Sequence, residues 1–75
     1  MRGDMVSLRG WRRRRLLKQT ELAARSGVSV ATISAVEGGK HTRLEIETIR
    51  RLASALGVAP ARVDELRAAM EAPEG

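Results

Sequence analysis

The chain has 75 residues, carries a formal net charge of +5 from 14 basic and 9 acidic residues, and contains no cysteine. Disulfides, cysteine-based zinc sites and thiol catalysis are therefore excluded. The length predicts one domain over residues 1–75 with an ordered core of about 6–70 and frayed ends. A small secreted domain would normally carry disulfides, so their absence favours the cytoplasm. The chain has no long apolar run and no secretion-signal pattern, which predicts no membrane partner.

Helical signals divide the first half of the chain. A first helix is predicted over about 6–17, with Leu8, Trp11 and the Leu16/Leu17 pair on its apolar face. A second is predicted over about 19–26 and ends at Gly27, because a residue just past a helix often takes a positive φ. Ser29 is a good N-cap for a third helix that runs to about Glu37. Gly38 and Gly39 end it.

Two further helices follow. A fourth is predicted from apolar residues at helical spacing and a glycine that stops it: Ile46, Ile49, Leu52, Ala53, Leu56 and Gly57. A fifth begins near Pro60, which suits a first helical turn, and places Val63, Leu66 and Met70 on one side. The predicted fold class is all-α, a compact five-helix orthogonal bundle.

The segment from Gln19 to Gly38 reads QTELAARSGVSVATISAVEG. Two helices joined by a short turn that contains glycine form a helix-turn-helix arrangement. A small residue is required at position 23, where the two helices cross closely, and Ala23 meets this requirement. Gly27 can take the turn conformation that a Cβ would disfavour. The outward residues of the third helix are then left to enter the major groove of DNA.

The chain resembles the Cro/repressor-type (XRE-like) family through LKQTELAARSGVSVATISAVEGGK, ETIRRLASALGV and VDEL. The resemblance implies a sequence-specific transcriptional regulator, a repressor, whose third helix at about 29–37 reads the major groove of double-stranded DNA. It also implies that Gln19 contacts the DNA backbone and that Arg12 and Glu37 form a structural ion pair. The sequence differs from the family where Leu16 replaces a glycine, Lys18 replaces a Thr or Ser, and Leu44 replaces a frequent proline.

The predicted DNA-binding residues come from the second helix, the third helix and the loop after it. They are Gln19, Thr20, Ser29, Val30, Ala31, Thr32, Ser34, Ala35, Lys40, His41 and Arg43. Positions 30, 31 and 35 usually read bases in the family, and all three are apolar here. Apolar side chains can contact thymine methyl groups but make no bidentate hydrogen bonds with bases. DNA shape and phosphate contacts are therefore expected to contribute more to recognition.

Charge is distributed unevenly along the chain. Residues 1–18 carry seven basic residues and one acidic residue, and residues 59–75 carry two basic and four acidic residues. In the run from Arg12 to Arg15, Arg13 and Arg14 are interpreted as a solvated helix face. His41 has no second ligand at metal-binding spacing, and no catalytic motif is found. No metal, cofactor or enzymatic activity is predicted.

A homodimer is predicted through the fifth helix, with Val63, Leu66 and Met70 at its interface, because these residues share one helix face. Nucleoid association follows from the DNA-binding prediction. Two alternatives remain at this point. One is the antitoxin of a toxin–antitoxin pair, with a toxin as protein partner. The other is a protein-interaction or coactivator module that keeps the fold without reading DNA, which the apolar third helix favours.

Overall fold

A computed structural model describes residues 6–40 and 44–71. Within these residues the chain forms five α-helices and one short 3₁₀ turn: α1 Leu8–Arg14, α2 Gln19–Ser26, α3 Val30–Glu37, α4 Ile46–Leu56, the 3₁₀ turn Pro60–Arg62, and α5 Asp64–Glu71. The all-helical bundle that the sequence predicts is confirmed. The predictions for His41, Arg43 and the frayed ends at 1–5 and 72–75 lie outside the described residues.

The core takes residues from every α-helix and from the segments between them. Its buried apolar members are Leu8, Trp11, Leu17, Leu22, Val28, Ile33, Val36, Ile49, Leu52, Ala53, Leu56, Val63 and Leu66. Helix α2 packs against both α3 and α4, while α1 packs against α3 and α5. Helix α2 therefore joins the third helix to the rest of the bundle, as the predicted helix-turn-helix requires.

Helix α1 is shorter than the sequence indicates. It ends at Arg14, and Leu16 has a φ of +59° in the left-handed region. The side chain of Leu16 is 89% exposed, whereas Leu17 is buried. The prediction that both leucines continue the apolar face of the helix is therefore wrong for Leu16. The reversal that carries Leu17 into the core places Leu16 in solvent, at the position where the resembling family has glycine.

The arginines at the end of α1 have separate environments. Arg14 and Arg15 lie 5.1 and 5.3 Å from the centre of the Trp11 ring. The Nε atom of Arg15 also donates a hydrogen bond of 2.8 Å to the carbonyl of Leu56 at the end of α4. Cations over an aromatic face and at a helix C-terminus are both favourable. Arg13 and Arg14 are both exposed, in agreement with the predicted solvated face, and Arg14 lies over the Trp11 ring in addition.

The fifth helix begins later than predicted, and its first apolar residues belong to the core of the single chain. Val63 precedes α5 and forms a parallel backbone bridge with Val6. The amide of Leu8 donates to Oε1 of Glu65 at 2.7 Å, which seats the start of α1 on the start of α5.

This junction leaves Val63 and Leu66 with no exposed surface. The prediction that they form a dimer interface is therefore corrected, because the first helix and the segment before it already cover them. Met70 is 47% exposed, and it alone of the three predicted interface residues presents a side chain to solvent.

Candidate nucleic-acid interface

The turn between α2 and α3 has a glycine where the backbone φ is positive and a serine that caps the next helix. Gly27 ends α2 with a φ of +77°, and its amide donates to the carbonyl of Ala23. The amide of Val28 donates to Oγ of Ser26 at 3.1 Å. Ser29 then begins α3, and its Oγ accepts a hydrogen bond of 3.1 Å from the amide of Thr32. The two helices are thus joined by residues 27–29, which is the length of a helix-turn-helix connection.

Helix α3 has one buried side and one exposed side. Ile33 and Val36 have no exposed surface, so they fix the helix on the core. On the other side, Val30, Ala31 and Ser34 are exposed, while Thr32 and Ala35 are half-buried. Thr32 Oγ1 accepts a hydrogen bond of 3.0 Å from the hydroxyl of Ser29. The predicted residues of this helix therefore lie on the side away from the core, and the most exposed of them are small or apolar.

The last residue of α3, Glu37, is the centre of a hydrogen-bonded cluster that we call the Glu37 cluster: Arg9, Arg12, Gln19 and Glu37. The Glu37 side chain has no exposed surface. Arg12 donates to it through Nε at 2.7 Å and through Nη2 at 3.0 Å, in a forked contact. The Nε2 atom of Gln19 donates at 3.1 Å and Nε of Arg9 at 3.4 Å. The cluster therefore joins the end of α3 to both α1 and α2.

The charge state of Glu37 follows from opposing effects. Burial of the carboxylate, the largest effect, raises its pKa, whereas hydrogen bonds from Arg12 and Gln19, the charge of Arg12 and the contact from Arg9 lower it. The net pKa lies below the ordinary value of 4.5. The same contact raises the pKa of Arg12. Glu37 is thus ionised at neutral pH and neutralises one of the two arginines, which leaves positive charge beside the end of α3.

Arg9 was not singled out by the sequence analysis. A usable signal existed, because residues three apart on a helix share a face, and Arg9 lies three positions before Arg12. Its side chain is 54% exposed although it reaches Glu37. Gln19 was assigned to the DNA backbone by resemblance, and the structure adds the hydrogen bond that holds its amide against Glu37.

The remaining predicted DNA-binding residues flank α3. Thr20 is exposed in the first turn of α2. Lys40 is exposed just beyond α3, where its amide donates to the carbonyl of Ala35 at 2.9 Å. Neither residue carries a side-chain contact among the described residues that would occupy it. Thr20 directly follows Gln19 of the Glu37 cluster in the chain, and Lys40 lies three residues after Glu37.

Two further properties hold for residues 6–40 and 44–71. None of the helices found there is long and apolar enough to cross a membrane. No group of three or more acidic or histidine side chains is gathered there in a way that could hold a metal ion.

No curated protein and no solved structure matches the chain significantly. A family model described as "Helix-turn-helix domain" matches residues 6–66, a span that runs from the bridge at Val6 to the last buried residue of α5. The match covers the turn, the third helix and the core that positions them, and the chain therefore belongs to the helix-turn-helix domain family of DNA-binding proteins.

Proposed function

We propose that this protein is a Cro/repressor-type transcriptional regulator that binds double-stranded DNA with α3 in the major groove. The observation that carries the proposal is the exposed side of α3. It presents Val30, Ala31 and Ser34 to solvent, while Ile33 and Val36 on its opposite side hold the helix rigidly on the core. A recognition helix needs this combination, because its side chains must reach base edges while its axis stays fixed.

Base reading by this helix rests on shape and apolar contact. Val30, Ala31 and Ala35 can touch thymine methyl groups, and the Ser34 hydroxyl can hydrogen-bond to a base edge. Thr32, tied to Ser29, supports the helix start. Because these groups make no bidentate base contact, phosphate contacts supply most of the affinity. We assign those contacts to Gln19, Thr20, Ser29 and Lys40 and, from the sequence alone, to His41 and Arg43.

The proposed regulator acts as a homodimer on a near-palindromic site. Two recognition helices about 34 Å apart reach successive major grooves on one side of the duplex, and linking two half-sites compensates for weak readout within each. Met70 is the exposed apolar residue of α5 from which a dimer contact would be built. Repression then follows from occupation of an operator, within a nucleoid in the cytoplasm.

The test uses two alanines that are exposed on different helices. Ala31→Glu places a negative charge in the first turn of α3, where the helix dipole favours it, and Ala68→Glu makes the same change on α5. With duplexes selected from a random DNA pool, Ala31→Glu should raise the Kd at least tenfold, because the carboxylate would face DNA phosphates. Ala68→Glu should stay within about twofold of the parent protein. Equal effects of the two substitutions would contradict the assignment of α3.

A protein-interaction module is the second candidate, and the apolar character of Val30, Ala31 and Ala35 favours it. The two functions separate in the same binding assay at low salt. A regulator retards duplex DNA with an affinity that falls steeply as salt is added. An interaction module retards no duplex even at low salt, and that result would replace the first proposal with the second.

A further inference from the structure

A cleft with a strongly basic lining lies between α2 and α4, apart from the residues assigned to DNA. Its volume is about 380 Å³, which is within the range of small-molecule sites. It is lined by Arg25, Ser26, Arg50, Arg51, Ser54 and Ala55. Arg25 and Ser26 come from the last turn of α2, and the other four come from the middle and the last turn of α4.

The charges around this cleft are unbalanced. Glu47 is the carboxylate that pairs with the α4 arginines, at 3.6 Å from Arg50 and 3.3 Å from Arg51. Arg25 makes no ion pair with any residue in the described part of the chain. Three guanidinium groups thus share one acidic partner, and a cleft lined by one sign of charge concentrates the potential that attracts anions.

The donor geometry indicates which anion fits. Each guanidinium presents a fork of N–H donors that matches the oxygens of phosphate. The hydroxyl of Ser26 already accepts from the Val28 amide, so its own hydrogen remains available for donation, and Ser54 adds a second hydroxyl. A phosphate group has enough oxygens to receive donors from both helices at once, whereas a carboxylate has two.

The cleft also adjoins the helix-turn-helix connection. The Nη1 atom of Arg51 lies 3.5 Å from the position that a Cβ atom would take on Gly27. An anion bound by Arg51 would therefore sit beside the turn that positions α3, although no residue of α3 itself lines the cleft.

We propose that the α2–α4 cleft is a phosphate-binding site held by Arg25, Arg50 and Arg51, with Ser26 and Ser54 as hydroxyl donors. The phosphate group belongs either to a free phosphate ester or to the DNA backbone. In the second case the bound duplex would extend beyond the face assigned to α3. The site does not depend on the proposed regulator function, because it is built from other residues.

The first arm of the test titrates inorganic phosphate into the ¹⁵N-labelled protein and follows the amide and arginine Nε signals by NMR. Saturable shifts are expected at the end of α2 and in α4. The double variant Arg25→Gln/Arg51→Gln should raise the phosphate Kd at least tenfold. Arg25→Lys, which keeps the charge but loses the fork, should fall between the double variant and the parent protein. Arg13→Gln is the control, since Arg13 is exposed on α1 and lines no part of the cleft.

The second arm measures duplex DNA binding across salt concentrations with the same variants. If the phosphate belongs to DNA, the plot of log K against log salt should be less steep for the double variant, by about one unit of slope. Arg13→Gln should leave the slope unchanged. If the phosphate is a free ester, the DNA slope is unchanged and only the phosphate titration responds. The proposal is overturned if the double variant behaves like Arg13→Gln in both arms. A protein that binds no DNA but retains the phosphate response would remove the regulator proposal alone.

Discussion

The two connections that flank α2 share one backbone feature but differ in sequence. Each contains one residue in the left-handed region followed by a helix N-cap. Before α3 these are Gly27, with φ +77°, and Ser29, whose side chain caps the helix. Before α2 they are Leu16, with φ +59°, and Lys18, whose side chain makes no cap. The connection before α3 therefore has residues suited to its conformation, whereas the connection before α2 does not.

The first connection is held by side chains of the two helices that it joins, and one of these side chains is itself fixed from α3. Nη1 of Arg12 donates to the carbonyl of Leu17 at 2.9 Å, and Oε1 of Glu21 accepts from the amide of Lys18 at 2.7 Å. Arg12 is in turn fixed by Glu37 at the end of α3. A turn with unfavourable local chemistry thus survives because tertiary contacts determine it. Its stability depends on a residue that is distant in the sequence, whereas the second turn depends on its own residues.

Among the substitutions that test this comparison, removal of Glu37 should change the free energy of unfolding the most. Glu37→Ala leaves Arg12, whose side chain is 11% exposed, without its acidic partner, and should lower the free energy of unfolding by up to about 3 kcal/mol. Chemical denaturation measures the loss. Glu71→Ala, which breaks the exposed pair with Arg67, should cost less than about 1 kcal/mol. A Glu37 variant as stable as the Glu71 variant would show that the cluster does not support the fold.

Acid should weaken the same contact without mutation. The pKa of Glu37 is lower in the folded protein than its ordinary value of 4.5, so the unfolded chain binds the proton more readily. The stabilisation is therefore present above pH 4.5 and is lost as the pH falls through the lower pKa of the folded state. Denaturation from pH 7 to pH 3 should show a steeper decline for the parent protein than for Glu37→Gln. Parallel declines in the two proteins would contradict this assignment.

Gly27→Ala tests the well-matched turn. The Cβ would lie no closer than 3.5 Å to Arg51, so the cost comes from the positive φ and should be about 1–2 kcal/mol of unfolding free energy. Gly27→Asn should lose less, since asparagine tolerates the left-handed region better than alanine. Thermal and chemical denaturation of the two variants give the comparison, and equal stability of Gly27→Ala and the parent would argue against backbone strain.

Leu16→Gly tests the mismatched turn, and its expected effect has the opposite sign. The substitution relieves the strain at φ +59° while removing a side chain that is 89% exposed. It should therefore stabilise the protein by about 1 kcal/mol. Leu16→Ala is the matched control, because it removes the leucine and keeps the Cβ, and it should leave the stability almost unchanged. Destabilisation by Leu16→Gly would show that the exposed leucine makes a stabilising contact.

Substitutions at the two N-caps should give the smallest changes in stability. Lys18 already has extended backbone angles, φ −84° and ψ 165°, so Lys18→Ser can accept a hydrogen bond from the first turn of α2. It should add about 0.5–1 kcal/mol of stability. Ser29→Ala should remove a similar amount, because it deletes the bond to the Thr32 amide. Changes of the same sign in both variants, measured by denaturation, would rule out capping as the cause.

The elements that the sequence predicted correctly are those set by local chemistry. Gly27, Ser29 and Gly57 mark helix ends through φ preference and capping, which do not depend on the rest of the fold. Leu16 and Val63 were misassigned because their environments come from distant segments. For Leu16 the chain reversal after α1 decides its exposure, and for Val63 the bridge to Val6 covers it.

In the candidate site, too, the features set by local sequence could be predicted, and those set by packing between helices could not. The outward side of α3 follows from helical spacing, so its residues could be chosen from the sequence. The attachment of Arg9 and Gln19 to Glu37 required the packing of three helices. The α2–α4 cleft gave no sequence signal, because Arg25 and Arg51 are separated by a turn, a helix and a loop.

The indole of Trp11 has a practical consequence for studies of folding. Its Nε1 donates a hydrogen bond of 2.9 Å to the carbonyl of Arg62, 51 residues further along the chain. Trp11 is the only aromatic residue, so all intrinsic fluorescence of the protein originates at the point where the two ends of the fold meet. Closing so long a loop carries one of the larger entropic costs in the chain. Fluorescence therefore reports directly on the contact between Trp11 and Arg62, without any added label.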